Sequence, residues 1–157
     1  MRSSLVATET PAPPTHVTYV PKVCAYLTRR SGAQLLVFRG PGHDGLQVPK
    51  GTVETNESLD AALCREVAEE SGLRVDTARR VASDVWTRRV GPLTKYVRHF
   101  YHADIDESRD RWNHVVTGHG EECGETFEYF WVDLPTTEPF ALSLDDYLPT
   151  VSDAVDP

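Results

Sequence analysis

Long apolar runs, methionine and basic charge are all scarce in this sequence of 157 residues. No window approaches the roughly 20 apolar residues of a membrane-spanning helix. The opening stretch MRSSLVATETPAPPTH lacks the apolar centre of a secretory signal. Only 16 Lys and Arg stand against 24 Asp and Glu, a formal net charge of −8. Gripping nucleic acid through its phosphates needs a basic face, so strong nucleic-acid binding is not expected. A small phosphorylated molecule is still allowed, because a divalent cation can supply the positive charge. Cysteine is sparse as well. Cys24, Cys64 and Cys123 show no zinc-ligand spacing, which points to reduced thiols and a cytoplasmic setting. Cys24 and Cys64 sit in apolar patterns and read as small core residues.

What is present fits one domain with one sizeable core, over residues 16–157. Ahead of it, residues 1–15 read as a flexible arm by their Pro, Thr and Ala content. HVTYVPKVCAYLTRR reads as a strand bent at Pro21, joined through RRSGAQ to a second strand, QLLVF, as a hairpin. LQVP is a short extended piece. A helix is expected over Leu59–Ser71, with Leu59, Ala62, Leu63 and Val67 as its buried stripe. Asn56 and Ser58 both qualify as its N-cap, and Gly72 as its left-handed stop. VASDVWTRRV and TKYVRHFYHADI read as adjacent antiparallel strands around Gly91-Pro92. DESRDRWNHVVTGHGEECGE reads as one long loop, TFEYFWVDL as a strand, and LSLDDYLPTV as a last helix weakened by Pro149. The mixture implies an α+β fold with a mixed sheet and helices on its faces. Antiparallel edge strands and the arm leave a homodimer open.

The expected helix carries a crowd of acids. Glu66, Glu69 and Glu70 lie three and four residues apart, so their carboxylates share one face. Each like-charged pair at that spacing costs a helix roughly 0.2–0.5 kcal/mol. A solvated acidic face would look similar. Here the cluster lies at the edge of the apolar stripe and follows a Gly-containing turn, with Glu54 and Glu57 just before it. Convergent carboxylate oxygens are what Mg²⁺ or Mn²⁺ takes as ligands. The residues by themselves point to a metal-assisted site for phosphate chemistry.

The spacing also carries a resemblance. Gly51 is followed by five residues, Glu57, seven residues, Arg65-Glu66-Val67, one residue, Glu69-Glu70, one residue, and Gly72-Leu73. This is similar to the complete signature of the Nudix hydrolases. Seven fixed identities at roughly 6% usage would coincide on the order of once in 10⁹ start positions. The resemblance implies the α/β/α sandwich of that family and hydrolysis of a nucleoside diphosphate linked to another group, X. It implies Glu66, Glu69 and Glu70 as ligands of Mg²⁺ or Mn²⁺, joined by the Gly51 carbonyl, with Glu57 in support or on a further metal. Arg65 would orient the carboxylates. For the base that takes a proton from water, box glutamates such as Glu69 and outside glutamates are both known among relatives. Glu125 stands where an outside one often lies, with Glu121, Glu122 and Glu128 as rivals.

The box names a reaction and leaves the substrate to the pocket. Lys50 directly precedes Gly51, and Pro-Lys-Gly resembles dinucleoside polyphosphate and diphosphoinositol polyphosphate hydrolases. Thr52 departs from the latter, which usually add a glycine there. Lys50, together with Arg88, Arg89, Lys95 and Arg98 on the two central strands, is a candidate phosphate contact. Trp86, Tyr96, Phe100 and Trp112 are candidates for base stacking. His114 and His119 in the long loop read as substrate-facing or solvated. Two other readings stand beside the hydrolase: a non-catalytic Nudix sensor, which would usually have lost box glutamates, and an RNA-end-processing member, which the acidic charge argues against.

Overall fold

The computed structural model describes residues 16–88 and 91–155. The arm expected over residues 1–15, Arg89 and the last two residues of the expected domain lie outside them. In chain order the elements are β1 (Thr18–Arg29), β2 (Gln34–Arg39), β3 (Lys50–Thr52), α1 (Leu59–Ser71), β4 (Arg79–Arg88), β5 (Thr94–Asp104), β6 (Arg111–Val115), β7 (Thr126–Asp133) and α2 (Leu148–Val155). One seven-stranded sheet runs β4-β5-β1-β2-β7-β6, with β3 also paired to β1. β1 and β5 are parallel from Thr18↔Thr94 to Thr28↔Asp104, and the other pairs are antiparallel. The sheet is therefore mixed.

Strand β1 shares its second edge between two partners. Thr28 and Arg29 pair with β2, while Lys22, Val23 and Cys24 pair with β3. β1 also runs unbroken through Pro21, against the bend expected there. The Pro21 carbonyl accepts from Val53 N on the β3 side. Its missing N–H therefore faces that side too, just past the end of β3, and the β1–β5 ladder loses no donor.

Alternation along β1 builds two cores. Val23, Ala25 and Leu27 face α1 and pack with Ala62, Leu63 and Val67. Cys24 and Tyr26 face the other way and pack with Leu144, Leu148 and Val151 at α2. Period-two sides of one strand thus give three layers, helix on sheet on helix. Helix α1 begins at Ser58, whose Oγ accepts from Ala61 N at 3.1 Å, and stops at Gly72 with φ 77°. Asn56 takes a left-handed turn position (φ 64°) and does not cap. Cys64 lies one residue off the buried stripe, about 100° around the helix, and is exposed; the core place expected for it is not there. Pro149 falls in the first turn of α2, where no N–H is needed.

The long acidic loop contains a strand. β6 pairs with β7 from Arg111↔Phe130 to Val115↔Thr126. Its inward residues close the C-terminal end of α1. Trp112 stacks on Tyr129 (5.3 Å, 14°) and its indole N–H donates to Ser71 O at 3.1 Å. His114 Nε2 donates to Glu69 O at 2.9 Å, and Tyr129 Oη donates to Glu70 O at 2.8 Å. These carbonyls have no partner within the helix. Trp112 and His114 are therefore structural, not the stacking and substrate-facing residues expected. Phe100 is also withdrawn, fully buried in the α2-side core.

On the α2 side, Arg98 locks the layer to the sheet. Its Nε and Nη2 donate to both oxygens of Asp84 at 2.9 and 2.6 Å, and Nη1 donates to Leu142 O at 2.8 Å. Tyr147 Oη adds a bond to Asp84 at 2.8 Å. Leu142 and Ser143 hold φ of 58° and 53°, a left-handed conformation that costs non-glycine residues about 1–3 kcal/mol each. The Arg98 bond, and Tyr26 Oη donating to Leu144 O at 2.6 Å, hold that turn in place.

Removing the counterion exposes what this pair contributes. Asp84→Asn leaves a guanidinium whose side chain is only 6% exposed without its partner, and should cost about 2–3 kcal/mol. Hydrogen bonds from Arg98 hold the Asp84 carboxyl below the usual aspartate range, assisted by Tyr147 and opposed by burial. The pair's contribution is therefore whole above about pH 4 and is lost as the pH falls below it. Urea unfolding of parent and variant should show a wide gap at pH 7 and a narrower one at pH 3. An equal gap at both values would remove the pair as its source.

Candidate functional site

The glutamates of α1 are gathered by one cation. Arg65 Nε and Nη2 grip both oxygens of Glu57 at 2.7 and 2.9 Å. Its Nη1 donates to Glu66 at 3.0 Å and to Glu69 at 3.2 Å, and Nη2 also donates to Thr52 O at 2.9 Å. The two-pronged contact is the stronger, more directional kind of charge-assisted bond. These bonds hold the Glu57 carboxyl down at about 2. They also offset the like-charge repulsion along the helix. Burial pushes Glu66 above its ordinary value, with Arg65 working against it.

Glu70 is the deepest of the set, 3% exposed. One oxygen accepts from Lys50 N at 3.1 Å. Burial drives its pKa well up, Lys50 opposes the shift, and the neighbouring Glu122 carboxyl adds to it. Glu122 comes from the turn after β6, so that turn brings a further acid to the helix face. Backbone presses in from two sides. A Cβ on Gly51 would fall inside the Glu66 carboxylate, and one on Gly118 would crowd that of Glu69.

These features suit a divalent cation. Hard oxygen donors converge, the Gly51 main chain lies against one of them, and the buried Glu70 carboxyl faces the half-buried one of Glu122, a pairing that an added positive charge or proton makes favourable. Among the described residues no three acidic, imidazole or thiol groups already form a closed cage. Arg65 holds Glu57, Glu66 and Glu69 instead.

The cluster forms one end of a cleft of about 750 Å³. Lys50, Gly51, Arg65, Glu66, Glu69, Glu70, Arg88 and Arg98 all line it. Glu57 does not; it stands behind Arg65. Glu125 is absent from the lining as well, and so is Glu128, whereas Glu121 and Glu122 are present. Lys50 Nζ donates to Gln47 Oε1 at 2.9 Å, and Arg98 is committed to Asp84 and Leu142. Lys95 is not among the lining residues. Cys24 reaches the wall, but burial pushes its thiol up to about 12, so it stays protonated at neutral pH.

Sequence reasoning missed Lys22, Thr117 and His43 in this lining. Lys22 enters because it pairs with Thr52 across β1 and β3, and its ammonium donates to Thr52 Oγ1 at 3.1 Å. No local pattern announces that pairing. Glu122 ranked only as a rival of Glu125 in the sequence, and the turn after β6 is what carries it to the cleft.

Comparison with known proteins places this geometry in a family. The model of the NUDIX domain matches residues 18–150. The chain is similar to the NAD-capped RNA hydrolase NudC of Klebsiella pneumoniae, with 36% identity over 78 residues, 49% of this chain and 30% of that protein. The protein of the same name from Shigella flexneri is 33% identical over 91 residues, 55% of this chain and 35% of that one. The chain therefore spans about a third of the length of these relatives. A UDP-X diphosphatase superposes with a TM-score of 0.63 at 13% identity, over 88% of this chain and 64% of that one. The NUDIX domain of Shewanella oneidensis NrtR, solved in complex with ADP ribose, gives 0.64 at 14% identity, over 88% and 90%. At such identities the likeness establishes the fold alone. Among the described residues no helix is long and apolar enough to cross a membrane.

The contact between Gly51 and Glu66 can be tested directly. Gly51→Ala should force the Glu66 carboxylate aside while circular dichroism stays that of the parent. Affinity for Mn²⁺, read by calorimetry, should fall about 10–100-fold, as for other changes next to ligating groups. Unchanged affinity in a folded variant would remove Glu66 from the ligand set.

Proposed function

The chain belongs to the Nudix family, and from that premise we propose that it hydrolyses a phosphoanhydride bond in a nucleoside diphosphate linked to a further group X. The observation that carries this reading is the glutamate face of α1 at the end of a substrate-sized cleft, with Glu122 brought against Glu70. The relatives named above are consistent with it, since NAD caps, UDP-X and ADP ribose all contain a nucleoside diphosphate.

In this proposal Glu66, Glu69, Glu70 and the Gly51 carbonyl hold Mg²⁺ or Mn²⁺, with Glu57 in support through Arg65. Such an ion, when bound, neutralises charge developing on phosphate oxygens and makes bound water more acidic. The chain does the rest. Arg65 keeps Glu66 and Glu69 from swinging apart. Lys22, Lys50 and Arg88 supply positive charge along the cleft for the diphosphate. A carboxylate takes the proton from the attacking water. Glu122 is the proposed base, because it lines the cleft beside Glu70 and Glu125 does not. RNA as X is disfavoured by the net charge of −8.

The experiment is a panel of nucleoside triphosphates, dinucleoside polyphosphates, nucleotide sugars and nucleotide cofactors, with and without Mg²⁺ or Mn²⁺, with products identified by mass. Cleavage of at least one class is expected, and only with metal. On that substrate Glu122→Gln should lower kcat about 10²–10⁴-fold, and Glu125→Gln should stay near the parent. The reverse pattern would return the base to Glu125. Tight binding with no cleavage across the panel would replace the hydrolase with a sensor.

A further inference from the structure

The two ends of the cleft differ in chemistry, and the far end is aromatic. Of the three tryptophans, Trp112 and Trp131 are fixed by their indole N–H groups, to Ser71 O and to Arg109 O. Trp86 differs. Among the described residues its indole has no hydrogen-bond partner, it is 42% exposed, and it faces the cleft. Its ring sits 6.5 Å from that of Tyr96, at 49°. The Arg98 guanidinium lies 5.3 Å from the Trp86 centroid. Arg98 cannot wander, because Asp84 and Leu142 take its donors. Trp86 is thus backed by a fixed cation, with exposed aromatic surface turned to the cleft. Leu142 and Leu144 line the same region.

Strand register sets the distance between the ends. Across the sheet, Thr52, Lys22, Arg98 and Asp84 form one row, and Val20, Tyr96 and Trp86 form the next row on the same face. β3, which carries Gly51 against Glu66, is three strand spacings from β4, which carries Trp86. At about 4.8 Å per spacing that is roughly 14 Å measured along the sheet. Lys22 lies in between, its ammonium 5.9 Å from the Tyr96 ring and bonded to Thr52. The order along the cleft is carboxylates, ammonium, aromatic rings. A nucleoside diphosphate has the matching order of diphosphate, sugar and planar base.

We propose that Trp86, with Tyr96 beside it, is the stacking wall for the base of the substrate, and so the residue that makes the cleft select nucleotides over other diphosphates. The proposal rests on the hydrolase reading for the word substrate, but the stacking itself can be measured without turnover. Base–aromatic stacking tolerates any base, since each has a π face. The wall therefore selects for a planar ring and not for one particular base.

The test pairs binding with kinetics. Calorimetry compares AMP, GMP, CMP and UMP with ribose 5-phosphate, which lacks the base, on the parent, Trp86→Ala and Trp86→Phe. The parent should bind the nucleotides at least tenfold more tightly than ribose 5-phosphate. Trp86→Ala should erase most of that difference, and Trp86→Phe should restore it. On whichever nucleotide substrate the panel identifies, Trp86→Ala should raise KM at least tenfold, with the loss falling on KM more than on kcat. A folded Trp86→Ala protein that still prefers nucleotides as the parent does would overturn the proposal, as would a parent with no such preference. Absence of hydrolysis in the parent would defeat the hydrolase reading alone, leaving the binding comparison to decide the stacking.

Discussion

One guanidinium sets the shape of the site. Arg65 reaches back to Glu57, up to Glu66 and Glu69, and across to the Thr52 carbonyl on β3. Without it, α1 would carry three acids on one face with only repulsion between them. With it, the loop before the helix, the helix and the short strand are tied at a single point. The arrangement is half exposed and highly charged, so its strength comes from bond geometry and not from burial. It also leaves Glu70 out. That residue is buried instead against Lys50 N and Glu122, and its environment is the least comfortable for a charge in the cluster.

The helix that presents these acids is anchored from its other end. α1 is only 13 residues long, too short to be stable alone in water. Its last carbonyls would be orphans if nothing closed them. Trp112, His114 and Tyr129 do so from β6 and β7, and Thr117 N adds a bond to Glu69 O at 3.1 Å. Because Glu69 and Glu70 lie in that last turn, the bonds that finish the helix also fix where their side chains start. The turn running on from β6 then delivers Glu122. Packing and site are therefore one construction on this side of the sheet.

The opposite side of the cleft follows a different logic. There the sheet face supplies cations and aromatic rings at intervals set by strand spacing, and the segment before α2 supplies the apolar cover. The left-handed Leu142 and Ser143 hold that cover where a regular helix would not reach, and Arg98 stabilises the turn through the Leu142 carbonyl. Arg98, expected to meet a phosphate, lines the cleft with its guanidinium held by Asp84 and Leu142 beside the Trp86 ring.

The sequence alone was enough for α1 and its acids, because everything that defines them is local. Ser58, Gly72, the stripe through Leu63 and Val67, and the i, i+3, i+4 spacing of Glu66, Glu69 and Glu70 all lie within one short stretch. The strands of Val-, Tyr- and Phe-rich segments were legible for the same reason. Local pattern failed where partners are distant. β6 was hidden because RWNHV is short and mostly polar, with His114 turned inward and Val115 outward, and it becomes a strand only by pairing with β7. Cys64 was misread because a small residue next to a stripe looks like part of it. The roles of Trp112, His114 and Arg98, the arrival of Lys22 and Glu122, and the separation of carboxylates from Trp86 were decided by tertiary structure. Each depends on which strands lie side by side and in what register, a pairing made across tens of residues by the closing of two cores on one sheet.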